Sequence, residues 1–209
     1  MRAFIIGNGP SLSWTPLNDL INEITFATGK IHLIYPKVVW RPTYYFALDY
    51  TGPGMIEDMV TNVETSRHSF IRADRASDVE LRRQTFEHPA KVTYFWPCRR
   101  HIGINYLSPT RPTDWHLPSV CAYGSTLGAM IQIAVTLGYG PLYLLGCDLG
   151  WPAHFDPSYG GYDDFPPETR DDTLRHMHSL AEQCSPVKIY NATLGGALEE
   201  HERVDFKEL

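Results

Sequence analysis

The chain has 209 residues, 43% of them hydrophobic and 20% charged, with a formal net charge of −6. That length suits one domain with a substantial core. The acidic balance excludes a general nucleic-acid binder, although a local cluster can still receive a small anion. No apolar run is long enough to span a membrane, and Met1-Arg2 leads straight into an apolar strand rather than a signal peptide. Cys98, Cys121, Cys147 and Cys184 form no C-x-x-C pair. The expectation is a cytoplasmic protein with reduced thiols, an oligomer being possible.

In chain order, the first element is the buried strand Ala3–Gly7, followed by the turn-forming run Gly7-Asn8-Gly9-Pro10-Ser11-Leu12. Residues 17–25 predict a short helix with Leu17, Leu20 and Ile21 on one face. Residues 25–29 and 32–36 supply a second strand, with 37–40 as a candidate extension, and 43–49 form a third ending on Asp49. A helix follows over 53–63, then strands over 69–73 and 91–97, the latter stopped by Pro97. Residues 98–120 are proline-rich and without periodicity, which predicts a lid or binding loop. Ser125 to Leu137 is a capped helix ended by Gly138, and 141–148 is a fully apolar strand ending on Asp148. After a second irregular stretch, 169–184 forms a helix with acidic first turns and 187–193 the last strand.

Apolar strands alternating with helices predict one α/β domain over 1–209, a mostly parallel sheet with helices on both faces and a lid insertion at 98–120. Ligands bind such sheets beyond the carboxyl ends of the strands. Those ends carry Gly7–Ser11, Asp49, Pro97–Arg100, Asp148 and Asn191–Thr193.

The first turn has the makings of an anion cradle. Gly7 and Gly9 permit positive φ and close backbone approach, Asn8 can donate and accept, and Ser11 is a good N-cap that leaves backbone N–H groups pointing outward. It lacks the Lys of a Walker A loop, and Leu12 stands where G-x-G-x-x-G needs its third glycine. A tight turn with a cap is the alternative. Arg99 and Arg100 open the long loop and can clamp a diphosphate, or simply be solvated. Asp148, at the end of an apolar strand, needs a partner: an Arg, a helix N-terminus, a ribose hydroxyl or Mg²⁺. His176 and His178 lie on different faces of one helix and cannot share a metal. Trp115 or Trp151 can stack on a base, or anchor a loop.

Three stretches, residues 4–12, 124–151 and 187–199, resemble the MptE-like (DUF115) superfamily, which includes archaeal 6-hydroxymethylpterin diphosphokinases. More distantly the chain is similar to Campylobacter-type sialyltransferases and motility-accessory-factor glycosyltransferases. The resemblance implies a Rossmann-like domain binding a nucleotide donor through the first glycine turn. Gly7, Asn8, Gly9 and Ser11 then hold its phosphate and ribose, with Asp49, Ser125 and Thr126 completing the nucleotide site. Asp148 falls on the Asp that closes the sialyltransferases' fifth strand. By direct count Gly150 and Asp156 stand where they place two tyrosines, so Tyr159 and Tyr162 serve the leaving phosphate only if the loop is rebuilt. Glu168 or Thr169 stands in place of their histidine.

The implied activity is transfer of a group, most readily a glycosyl group, from a nucleotide-sugar to a hydroxyl acceptor. The alternatives are an ATP-dependent, Mg²⁺-requiring diphosphokinase and a nucleotide-binding protein without catalysis. Proton abstraction from the acceptor needs a base. His154 has the unperturbed pKa nearest neutrality and is oriented by Asp156 or Asp148, while Glu168 is a second candidate. A mixed N/O metal set of His154, Asp148 and Asp156 is the competing use of the same residues.

Overall fold

The computed structural model describes residues 1–48, 54–72, 91–97, 119–120, 125–149, 153–159, 174, 177, 180 and 184–209. These hold a parallel sheet of nine strands: β1 (Ala3–Ile6), β2 (Ile24–Thr28), β3 (Tyr44–Ala47), β4 (His68–Arg72), β5 (Val92–Pro97), β6 (Ser119–Val120), β7 (Leu142–Leu145), β8 (Ile189–Asn191) and β9 (Glu202–Arg203). Their spatial order is β6-β5-β4-β3-β2-β1-β7-β8-β9, an α/β Rossmann-like arrangement. The chain steps from β1 outward to β6, and then α2 (Thr126–Thr136) carries it back to the other side of β1. Strand β1 pairs with β2 on one side and β7 on the other, so the strand order reverses at β1, a topological switch point.

The period-2 alternation of side chains sorts the strands into two cores. Ala3, Ile5, Phe26, Phe46, Phe70, Leu142 and Leu144 face α2, together with Met177 and Leu180. Phe4, Ile6, Ala27, Tyr45, Ala47, Ile71 and Leu145 face α1 (Met55–Thr65) and three 3-10 helices. Residues 174, 177 and 180 are helical, within the helix expected over 169–184.

The helix expected over 17–25 is a 3-10 turn, Leu17–Leu20, after which Ile24 and Thr25 enter β2 opposite Ala3 and Phe4. Leu17 and Leu20 are both buried at a spacing of three, the period of a 3-10 helix. The β-branched pair is worth more in the ladder than in another helical turn. The second strand stops at Thr28, and the stretch expected to extend it is the 3-10 helix Ile31–Lys37, burying Ile31 and Ile34. Of the lid expected over 98–120, residues 98–118 lie outside the described residues, and Ser119–Val120 form β6 beside Trp96 and Pro97.

Candidate functional site

The turn after β1 is built against the end of β7. Gly7 N donates to Leu145 O and Gly9 N to Gly146 O, each at 2.8 Å. Gly9 is extended (φ −70°, ψ 164°) and neither glycine takes positive φ, so conformational freedom is not why they are there. A Cβ on Gly7 would sit 2.5 Å from Gly146 O, and one on Gly9 would overlap the Asp148 carboxylate. Both glycines let two strand-end loops touch. Gly9, not Ser11, caps the 3-10 helix Pro10–Trp14, and it does so without a side-chain bond. The N–H groups of Gly7, Gly9, Ser11 and Leu12 all bond inward, to Leu145, Gly146, Asp148 and Gly9. The outward-facing amides of the expected anion cradle are therefore absent at those four positions.

Asp148 is 8% exposed. Its carboxylate accepts from Ser11 Oγ at 2.8 Å and from Ser11 N at 3.3 Å. Ser11 is thus the partner that a charge at the end of an apolar strand requires. Leu149 follows in the left-handed region at φ 49°, which is uncommon for a residue with a Cβ and costs about 1–3 kcal/mol. Burial pushes the Asp148 pKa up, and the two Ser11 hydrogen bonds offset only part of that. A folded-state pKa above the unfolded value means that the folded form binds the proton more tightly. Stability is then lost as pH rises through the window between the two, and ionised Asp148 is a cost at neutral pH. Asp148→Asn should leave stability at pH 7 equal or higher in urea denaturation, since the Ser11 hydroxyl can turn to accept from the amide. A drop of more than about 1 kcal/mol, the usual worth of one hydrogen bond, would show that the charge itself holds the loop.

Asn8 ties the β7 loop to the end of β2. Its Nδ2 donates to Thr28 O at 3.0 Å, and its backbone carbonyl accepts from Phe155 N at 3.0 Å and from His154 Nδ1 at 3.1 Å. Because a carbonyl can only accept, Nδ1 carries the ring hydrogen, and Nε2 bears the lone pair of the neutral imidazole. Asn8 Oδ1 is buried with no hydrogen-bond partner among the described residues. Such an oxygen is costly unless something donates to it.

His154 stacks on Tyr159, with ring centroids 3.7 Å apart. Burial lowers the His154 pKa, the Asn8 carbonyl opposes this, and the Lys30 charge adds to the lowering. Neither Asp156 nor Asp148 orients the imidazole through Nδ1; the Asn8 carbonyl does. Asp156 instead accepts from Ser158 N and Oγ and lies 3.8 Å from Lys37. The Tyr159 hydroxyl accepts from Lys30 N at 3.2 Å, at the position where a Cβ on Gly29 would stand. Lys30 Nζ reaches Asp58 at 3.6 Å. His32 Nε2 meets the other Asp58 oxygen at 3.2 Å.

Gly7, Asn8, Gly9, Ser11, Asp148, His154 and Tyr159 thus form one connected cluster at the switch point. Ser125 caps α2, its hydroxyl accepting from Gly128 N at 3.2 Å, and Thr126 is the first helical residue. Asp49, Arg99, Arg100, Tyr162 and Glu168 lie outside the described residues. Among the described residues no three His, Cys, Asp or Glu side chains converge to hold a metal ion, so the His154–Asp148–Asp156 set does not form. Sequence reasoning missed Thr28, Gly29 and Lys30; a glycine directly after the strand beside β1 is a weak signal. Two open grooves of about 480 and 450 Å³, around Pro186, Val187 and Lys188, lie at the amino ends of β7 and β8 and contain none of these residues.

The fold is that of known glycosyltransferases. Over its full length the chain superposes on the MAf glycosyltransferase from Magnetospirillum magneticum AMB-1, with a TM-score of 0.62 and 17% identity. It covers 34% of that larger protein, about a third of its length. Over 91% of its length it matches the sialyltransferase CstII from Campylobacter jejuni, solved with the substrate analogue CMP-3FNeuAc. There the TM-score is 0.52 with 14% identity, and 81% of the sialyltransferase is covered. No family model matches the sequence, and no curated protein matches it. No helix among the described residues is long and apolar enough to cross a membrane.

Proposed function

We propose that the chain binds a nucleotide-sugar at the switch point and transfers the glycosyl group to a hydroxyl acceptor. The observation that carries this reading is the joining there of a buried carboxylate, an Asn8 oxygen without a partner among the described residues and a histidine oriented through Nδ1. Perturbed groups gathered at the carboxyl edge of a parallel sheet mark a working site. Asn8 Oδ1 and Asp148 are acceptors suited to the hydroxyls of a ribose. Arg99, Arg100, Tyr159 and Tyr162 are the proposed donors to the phosphate, with Asp49, Ser125 and Thr126 around the nucleoside.

In the transfer step, His154 Nε2 takes the proton from the acceptor hydroxyl. The acceptor oxygen forms its bond to the anomeric carbon as the bond from that carbon to the phosphate oxygen breaks. The nucleotide leaves with the electron pair, and its new charge is met by phosphate-binding donors. The glycosyltransferase likeness supports this reading over phosphoryl transfer, and Glu168 remains the rival base.

The test is thermal unfolding with CMP, UDP and ATP, each with and without Mg²⁺. A ligand at a hundred times its Kd stabilises the native state by about 2.7 kcal/mol. CMP or UDP should raise Tm without metal, and Asp148→Asn should weaken that ligand by about tenfold or more, as loss of a hydrogen bond to a charged group does. A response confined to ATP with Mg²⁺ would replace glycosyl transfer by pyrophosphoryl transfer. No response to any of the three would end the nucleotide reading.

A further inference from the structure

We propose that Arg203 is a positioning residue for Asp148, acting through the loop that leaves β8; this rests on the reading of Asp148 as part of the nucleotide site. The Arg203 guanidinium donates to four carbonyls of one loop: Thr193 at 3.1 Å, Gly195 at 2.8 Å, Gly196 at 3.2 Å and Leu198 at 3.1 Å. Gly195 and Gly196 are both left-handed, at φ 77° and 81°, a conformation that glycine adopts without the Cβ penalty. Four carbonyl oxygens gathered around one point repel each other unless a cation with several donors fills it. A planar guanidinium with five N–H groups does this, and an ammonium with three does it less well.

The other face of the loop is pressed against Asp148. Ala197 N donates to Asp148 O at 2.6 Å. A Cβ on Gly196 would stand 2.5 Å from that oxygen and 2.7 Å from the Asp148 Cα. One residue earlier, Cys147 N donates to Thr193 Oγ1 at 3.1 Å. Strand β7 ends at Leu145, so Cys147 and Asp148 have no ladder partners of their own. The Gly9 turn holds Gly146 and the Asp148 carboxylate from one side, and this loop holds the Cys147 and Asp148 backbone from the other. Asn191 shares in fixing the loop, donating to Leu198 O at 2.8 Å and accepting from Thr193 N at 3.0 Å. Arg203 is the only side chain among these that reaches Gly195 and Gly196. If it is lost, the segment that packs on Asp148 can lift away, water reaches the carboxylate, and the carboxylate no longer holds one direction.

The test uses the full chain with Arg203→Lys and Arg203→Ala, and Arg2→Ala as a control. Arg2 pairs with Glu23 at the amino end of the sheet, so it reports on generic loss of stability. Two quantities are measured in folded protein: the titration of the Asp148 carboxyl carbon by NMR, and CMP affinity by calorimetry. The Arg203 variants should move the Asp148 midpoint down toward the ordinary carboxylate value and weaken CMP about tenfold, a coupling within the range seen for residues in one network. Arg2→Ala should move neither. An unchanged Asp148 titration in folded Arg203→Lys overturns the proposal, as does an equal shift in Arg2→Ala. If CMP, UDP and ATP all fail to bind the wild type, the nucleotide reading falls, and the Asp148 titration still decides the role of Arg203. If Arg203→Ala does not fold, Arg203→Lys decides both.

Discussion

His154→Ala is expected to lower turnover by roughly a hundredfold or more with nucleotide affinity unchanged, the signature of a lost general base. The expectation rests on geometry. The Asn8 carbonyl takes the Nδ1 hydrogen, so the neutral ring presents its basic nitrogen at Nε2, and stacking on Tyr159 fixes the plane. Burial holds the His154 pKa below the ordinary 6.5, so the active neutral form persists to lower pH than for an exposed histidine. The acid limb of the pH–rate profile should therefore fall below pH 6.5. The linkage has a definite sign as well. Between the folded and unfolded pKa values the unfolded chain binds the extra proton, so the contribution of His154 to stability is lost as pH falls from 6.5 through the folded value. His154→Ala should flatten that part of the pH–stability curve. Steady-state rates and urea unfolding between pH 5 and 8 measure both. Full activity in His154→Ala would transfer the role of base to Glu168. An acid limb at or above 6.5 would contradict the buried, neutral ring.

Gly9→Val should destabilise the fold and abolish nucleotide binding together. A Cβ on Gly9 overlaps the Asp148 carboxylate and comes within 2.8 Å of Gly146 O, and valine adds two methyl groups. Overpacking of this kind costs about 1–3 kcal/mol, which for a chain of this size lowers Tm by about 2–4 °C per kcal/mol. The carboxylate must also leave Ser11. The expectation from the turn alone is that Gly9 keeps a path open to a ligand and that valine there spares stability. The packing shows otherwise, because the space that glycine leaves is filled by Asp148. Urea denaturation and calorimetry with CMP check both effects, and a Gly9→Val protein as stable as wild type would mean that the two loops do not pack as described.

What the sequence determined by itself is the layered sheet and which residues stand at the carboxyl ends of its strands. Runs such as Ala3–Ile6 and Leu142–Leu145 are apolar at every position, and only strands buried on both faces tolerate that composition. The helix from Ser125 was legible because its cap, its apolar residues and Gly138 are all local signals. The turn residues after β1 and the charge closing β7 likewise stood out, because polar groups at the ends of apolar strands need a reason. The local pattern misleads on either side of β2, where the 3-10 helices Leu17–Leu20 and Ile31–Lys37 read as a longer helix and as a strand extension; a 3-10 turn is too short to declare its period.

Only the tertiary structure decided what the polar residues do. Ser11 caps nothing and binds Asp148, which lies 137 positions away in the chain. His154 is oriented through Nδ1 by the backbone of Asn8 rather than by Asp148 or Asp156, and Arg203 grips the loop behind Asp148 from a two-residue strand that no pattern announces. Hydrogen bonds between distant loops depend on strand order. That order, with β1 between β2 and β7, is set by which faces must be buried together, a property of the whole chain and not of any local stretch of it.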